Sequence, residues 1–88
     1  MDLQALLVKA IKSAIPVDFV KDCILLAEKA KKLGIDGLGR LNIAADHVIE
    51  KLPLQLRFVA LVFKAAVVGA VKEVVQEVFD EFKNELGL

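Results

Sequence analysis

The chain has 88 residues, 12 basic against 12 acidic side chains, and a hydrophobic content of 57 %. This length predicts one domain, residues 1–88, and the apolar content excludes intrinsic disorder. The neutral balance argues against nucleic acid as the primary ligand, because nonspecific binding to nucleic acid needs a basic surface. The single cysteine, Cys23, excludes a disulfide framework.

Apolar residues recur at steps of three and four in the first third of the chain and predict two short amphipathic helices. The first helix carries Leu3, Leu7 and Ile11 on one face. It ends before Pro16, because proline disfavours helical backbone in the residue that precedes it. Pro16 then opens the second helix, and we expect Gly34 to cap the end of that helix in a left-handed conformation.

Asp36 is predicted to cap the third helix, because aspartate accepts hydrogen bonds from the free backbone N–H groups at a helix start. The apolar positions of this helix alternate in steps of three and four, as in a coiled-coil seam. They are Leu38, Leu41, Ala45, Val48 and Leu52. Pro53 ends the helix.

Residues 53–86 contain no helix breaker other than Gly69 and predict one long C-terminal helix of about 51 Å. Residues 58–71 are apolar on nearly every side, which indicates burial on nearly every side. The sequence therefore predicts an all-α bundle of three short helices plus one long helix. The long helix either bends at Gly69 and folds back or stays straight and is covered by another chain. We favour the second alternative, because one small core buries too little surface for this apolar content.

The leading functional prediction is therefore a non-enzymatic structural protein that self-assembles through its long apolar helix. It would form a homo-oligomer, a filament or a shell of viral or phage type, in the cytoplasm or in an assembled particle. The predicted self-association residues are Phe58, Leu61, Val62, Val68, Val71, Val75, Val78 and Phe82. No signal peptide or transmembrane helix is predicted, because the N-terminal residues alternate in polarity and the most apolar run is too short to span a bilayer.

Four glutamates step by four residues along the last helix and are predicted to form one acidic ridge. They are Glu73, Glu77, Glu81 and Glu85. Like charges at this spacing oppose helix formation, so a partner or the solvent has to offset them. The ridge is interpreted as a solvated face, as a docking surface for a basic protein, or as a partner of lysines in the same protein. The third interpretation follows from charge, because residues 1–32 carry six Lys against four acidic residues and residues 72–88 two against five.

No catalytic residue, cofactor or metal ligand is predicted. Nucleophilic catalysis needs a hydroxyl or thiol beside a base, and the chain offers only Ser13, Cys23 and one imidazole, His47. Asp46, His47 and Glu50 share a helix face, but zinc sites usually draw His or Cys from more than one element. We interpret this face as solvated.

Two alternative functions stay open. AEK at 27–29, RLNIAADHVIEKL at 40–52 and AAVVGAVKEV at 65–74 resemble the soluble tail of small phage holins. The resemblance implies a membrane-active helical protein, although the N-terminal membrane helix of that family has no counterpart here. Neutral charge disfavours membrane binding, since interfacial helices usually carry a basic face. The other alternative is a monomeric adaptor that binds a partner helix, which a bend at Gly69 would favour.

Overall fold

A computed structural model of the chain describes residues 2–88, so that Met1 of the predicted domain lies outside the described residues. Within this range the fold is all-helical and contains no strand. The helices are α1 (Leu3–Ala14), α2 (Val17–Glu28), α3 (Gly37–Glu50), α4 (Leu54–Val62) and α5 (Lys64–Phe82). A short 3-10 helix (Lys29–Leu33) follows α2 directly.

The boundaries of the first three helices follow from local chemistry. The carboxylate of Asp2 accepts a hydrogen bond from the Gln4 backbone N–H at 3.1 Å and caps α1, which ends before Pro16. Gly34 has a φ of 80°, so the predicted left-handed cap is confirmed, although the last turn before it is 3-10. Asp36 accepts from the Gly39 N–H at 2.7 Å, which confirms the predicted cap of α3.

The predicted long C-terminal helix is divided, so residues 2–88 form five α-helices where the sequence predicted four. The break lies at Phe63, whose φ of −120° and ψ of 50° leave the helical region, and Gly69 lies inside α5. A straight helix over residues 54–82 would be about 43 Å long. The longest dimension of the folded chain is only 36 Å. The break therefore keeps α4 within the fold, and tertiary packing overrides the helical pattern.

Helix α5 is the centre of the fold and packs against α1, α2, α3 and α4. One face of α5 carries small apolar side chains, each of which is at most 5 % exposed. This face consists of Val67, Ala70, Val71, Val74, Val75 and Val78. Valine is a weak helix former, so burial of this face has to supply the stability that helix propensity does not.

Gly69 lies inside α5, on the side that meets Gln4 of α1. A Cβ atom at this position would lie 3.3 Å from the side-chain oxygen of Gln4, the far end of a flexible, exposed side chain. The glycine that the sequence suggested as a bend is thus a residue within a continuous helix. None of the helices in residues 2–88 is long and apolar enough to cross a membrane.

Candidate functional site

Helix α4 exposes an apolar face to solvent. Leu54, Phe58 and Leu61 are 64 %, 60 % and 80 % exposed, and their spacing of four and three residues places them on one side of the helix. Val62, at 75 %, and Phe63, at 51 %, continue this face at its C-terminal end. We call these five residues the α4 surface. Single exposed apolar side chains are common in proteins, but a contiguous group of this kind usually marks an interaction site.

The α4 surface arises because α4 is apolar on both sides and only one side reaches the core. Leu56 is the one buried residue of the helix, and Val59 and Ala60 on the same side are half-buried. Arg57 donates a hydrogen bond to the backbone carbonyl of Glu50. This contact ties α4 to the end of α3, and Arg57 itself stays exposed, in helical spacing with Leu54 and Leu61.

The predicted self-association residues fall into two groups in the structure. Phe58, Leu61 and Val62 are exposed and belong to the α4 surface. The remaining five lie on α5, where Val71, Val75 and Val78 are buried and Val68 and Phe82 are half-buried. In this fold the three buried valines pack inside the chain's own core. Periodicity alone could not separate the groups, because it shows that a face is apolar but not which element covers it.

Leu54 and Phe63 belong to the α4 surface but were absent from the sequence prediction. Leu54 shares the helical spacing of Phe58 and Leu61, so the same periodicity could have found it. Phe63 is exposed because the helix breaks there, and no signal in the sequence indicates that break.

The glutamate ridge pairs largely with polar side chains of the first two helices. Lys12 forms an ion pair with Glu77, and Lys21 lies 3.5 Å from a carboxylate oxygen of Glu85. The side-chain amide of Gln4 donates to Glu73 at 3.2 Å. Glu81 is exposed. The predicted contact between the basic first two helices and the acidic C-terminal segment is therefore present within the chain. The prediction that all four glutamates lie along the last helix is wrong for Glu85, because α5 ends at Phe82. Three of the four carboxylates have a polar partner in the chain, and all four stay exposed.

Lys21 contacts both Glu85 and the ring of Phe82. Its ammonium group lies 3.8 Å from the centroid of the Phe82 ring, and its side chain is only 16 % exposed. The ion pair with Glu85 and the cation–π contact act on the same group, so Lys21 covers Phe82 and links α2 to the end of α5. Phe82 is therefore shielded from outside partners.

A cavity of about 260 Å³ lies between α2, α3 and α5. Its apolar wall consists of Ile24, Ala27, Leu41, Ala44, Val75 and Phe79. Arg40 also lines it, with Nε 3.4 Å from Glu28 Oε1 and Nη1 donating to the Ile35 carbonyl at 2.8 Å. These contacts tie α3 to α2 across the turn that joins them. The cavity is slightly smaller than the range of about 300–1,000 Å³ that ligand pockets usually occupy.

The one thiol of the chain is buried. Cys23 is 1 % exposed, and burial, together with the carboxylates of Asp22 and Glu50, raises the pKa of its thiol. A buried thiol with a raised pKa is a poor nucleophile. Within residues 2–88 no group of three or more His, Cys, Asp or Glu side chains is placed to hold a metal ion.

Comparison of the chain with protein-family models, with curated proteins and with solved structures finds no significant match. The α4 surface is therefore the candidate functional site on structural grounds alone.

Proposed function

We propose that the protein is a non-enzymatic helical subunit that self-associates through the α4 surface into a homo-oligomer. The observation that carries the proposal is the contiguous exposure of Leu54, Phe58, Leu61, Val62 and Phe63 on a helix that buries only one residue. The sequence predicted self-association through the long helix of residues 53–86, and the proposal narrows this interface to α4, whose outer face the core leaves exposed.

The size of the α4 surface is sufficient for a weak to moderate dimer. Complete burial of a Leu, Val or Phe side chain stabilises by about 1.5–3 kcal/mol, so burying the exposed part of all five side chains contributes roughly 5–10 kcal/mol per chain. Two chains contribute twice this amount. Association costs about 4–15 kcal/mol in lost freedom of motion. The surplus supports dissociation constants in the micromolar range for a dimer in which both surfaces are well covered.

Charge supports a second copy as the partner. The five side chains of the α4 surface are uncharged, with exposed Arg57 and Lys64 beside them, and the whole chain has a formal net charge of zero, so net charge does not oppose pairing of two copies. Proteins near zero net charge associate more readily than strongly charged ones. A basic partner is less favoured, because Glu73, Glu77 and Glu85 already have partners in the chain.

The test is the mass of the protein in detergent-free buffer, measured by light scattering after size exclusion over a wide concentration range. Leu61→Glu is the test variant and Leu33→Glu the matched control, since both leucines are 80 % exposed and both variants change the net charge equally. We expect wild type and Leu33→Glu to form a defined oligomer and Leu61→Glu to remain a monomer. Protein concentration is taken from refractive index, because the chain has no Trp or Tyr.

Two results would overturn the proposal. One is a wild-type protein that stays a 9.6 kDa monomer at every concentration. The other is an oligomer that Leu61→Glu leaves unchanged. Flotation with neutral and anionic vesicles examines the membrane alternative on the same variants. If the wild type is a monomer that floats with the vesicles and Leu61→Glu does not float, lipid is the partner of the α4 surface.

A further inference from the structure

The connection between α4 and α5 is a single residue, Phe63, and it interrupts a sequence that is otherwise suited to a continuous helix. No proline or glycine lies at the break. Phe63 provides no side-chain cap for α5. A break in a helix leaves carbonyl groups before it and N–H groups after it without helical partners. A straight helix through Phe63 would supply these partners.

The exposed residues of α4 are in helical register with uncovered residues of α5. Leu54, Phe58 and Leu61 continue to Ala65, which is exposed, and Val68, which is half-buried. Successive residues of this series are four, three, four and three positions apart, which is the spacing of a coiled-coil seam. In the folded chain the break at Phe63 divides this seam. In a straight helix the five residues would form one apolar stripe about 21 Å long, ending before Lys72.

A straight helix cannot form while α5 stays in its own chain's core. Helix α4 is held to the end of α3 by the Arg57–Glu50 hydrogen bond, by the buried side chains of Leu52 and Leu56, and by a connection of three residues. When α4 and α5 become collinear, α1–α3 therefore move with α4 and separate from α5. The valine face of α5 then needs an equivalent groove, and a second copy of the chain provides an identical one.

We propose that the partner of the α4 surface is a second copy that exchanges α5. In the dimer α4 and α5 form one helix through Phe63, α5 packs on α1–α3 of the partner, and the seams Leu54–Val68 of the two chains pack against each other. This proposal rests on the proposed self-association and specifies its geometry. Exchange restores every contact of α5 with its groove, so its cost is small, and short hinge segments are known to promote it.

The first test compares Phe63→Ala with Phe63→Gly. Both variants remove the same aromatic side chain from the α4 surface, so they differ mainly in how well residue 63 continues a helix. Alanine is the best helix former and glycine among the worst, and a dimer contains two hinges. We expect the dissociation constant of the dimer to be about ten- to thirtyfold lower for Phe63→Ala. A dimer formed by contact of two unchanged folds predicts equal constants.

The second test uses the ion pair between Lys12 on α1 and Glu77 on α5. Lys12→Glu and Glu77→Lys each create a like-charge pair in a monomer or in an exchanged homodimer. In an exchanged heterodimer of the two variants both pairs are complementary, because each α5 packs on the other chain's α1. The variants are refolded together, with one chain ¹⁵N-labelled, and the dimers are counted by native mass spectrometry.

If the two variants pair at random, half of the dimers are heterodimers. If α5 is exchanged, the complementary ion pairs favour the heterodimer, and we expect it to make up about three quarters of the dimers or more. The control is the mixture of Lys9→Glu with Glu81→Lys, which carries the same net charges at exposed positions outside the ion pairs. It corrects for general attraction between oppositely charged chains. Equal constants for the Phe63 variants together with no excess of heterodimer over the control would overturn the exchange and leave self-association intact. Absence of any wild-type oligomer would overturn both proposals.

Discussion

Replacing Val71 by alanine measures the burial on which the central position of α5 depends. Val71 is completely buried, and Val62, nine residues earlier at the end of α4, is 75 % exposed. Both were predicted from sequence to contact a second chain. Replacing valine by alanine removes the same atoms at both positions, so the difference in the loss of stability shows which residue lies in the core.

The expected loss of stability in Val71→Ala follows from the atoms that the substitution removes. Two buried methyl groups correspond to about 1.6 kcal/mol of transfer free energy. The space that they leave adds about 1 kcal/mol if the core does not collapse around it. We expect Val71→Ala to lower the free energy of unfolding by about 2–3 kcal/mol and the melting temperature by roughly 10–20 °C. Val62→Ala should stay within about 0.5 kcal/mol of wild type.

Urea unfolding followed by far-ultraviolet circular dichroism is the suitable assay, because the fold is helical and the chain lacks Trp and Tyr. It is carried out at concentrations at which light scattering finds a monomer, so that association does not add to the apparent stability. Equal losses for the two variants would refute the assignment of Val71 to the core and Val62 to the surface.

Three further predictions concern the local contacts of the fold. Asp36→Ala should cost about 1 kcal/mol of stability through loss of the α3 cap, with exposed Asp46→Ala near wild type, by urea unfolding. Lys21→Gln should cost about 1 kcal/mol, more than Lys9→Gln, since only Lys21 combines an ion pair with an aromatic contact. Burial raises the pKa of the Cys23 thiol in the folded state, so the unfolded thiol ionises first. Stability from this group is therefore full below about pH 8.5 and falls above it, and Cys23→Ala should reduce the fall measured between pH 7 and pH 10.

The parts of the fold that the sequence predicted are those set by neighbouring residues. Pro16 ends α1, Gly34 adopts the left-handed conformation and Asp36 caps α3, because each effect needs only a few adjacent residues. The break at Phe63 depends on where α5 finds its groove and how α4 is tied to α3. No local pattern contains that information: the favoured prediction was a straight helix, and the alternative with a bend placed it at Gly69.

The candidate site was predicted in part for a related reason. Hydrophobic periodicity identified Phe58 and Leu61 as part of an apolar helix, and both are exposed. The same periodicity included Val75 and Val78, which the chain buries itself. The charge difference between residues 1–32 and 72–88 was more informative, because opposite charges on distant segments favour a long-range contact. The ion pairs of Lys12 and Lys21 are that contact.

The contact of α5 with all four other helices also has a consequence for folding during synthesis. Helices α2 and α3 are adjacent in sequence and can pair as soon as both have left the ribosome, but the groove for α5 then stays open. Residues 64–82 are made last among the helices, so the nascent chain exposes its apolar groove until they emerge. On a polysome, where neighbouring nascent chains are close together, the helix that first reaches this groove can come from another molecule. The order of synthesis can therefore influence whether the core is completed within one chain or between two.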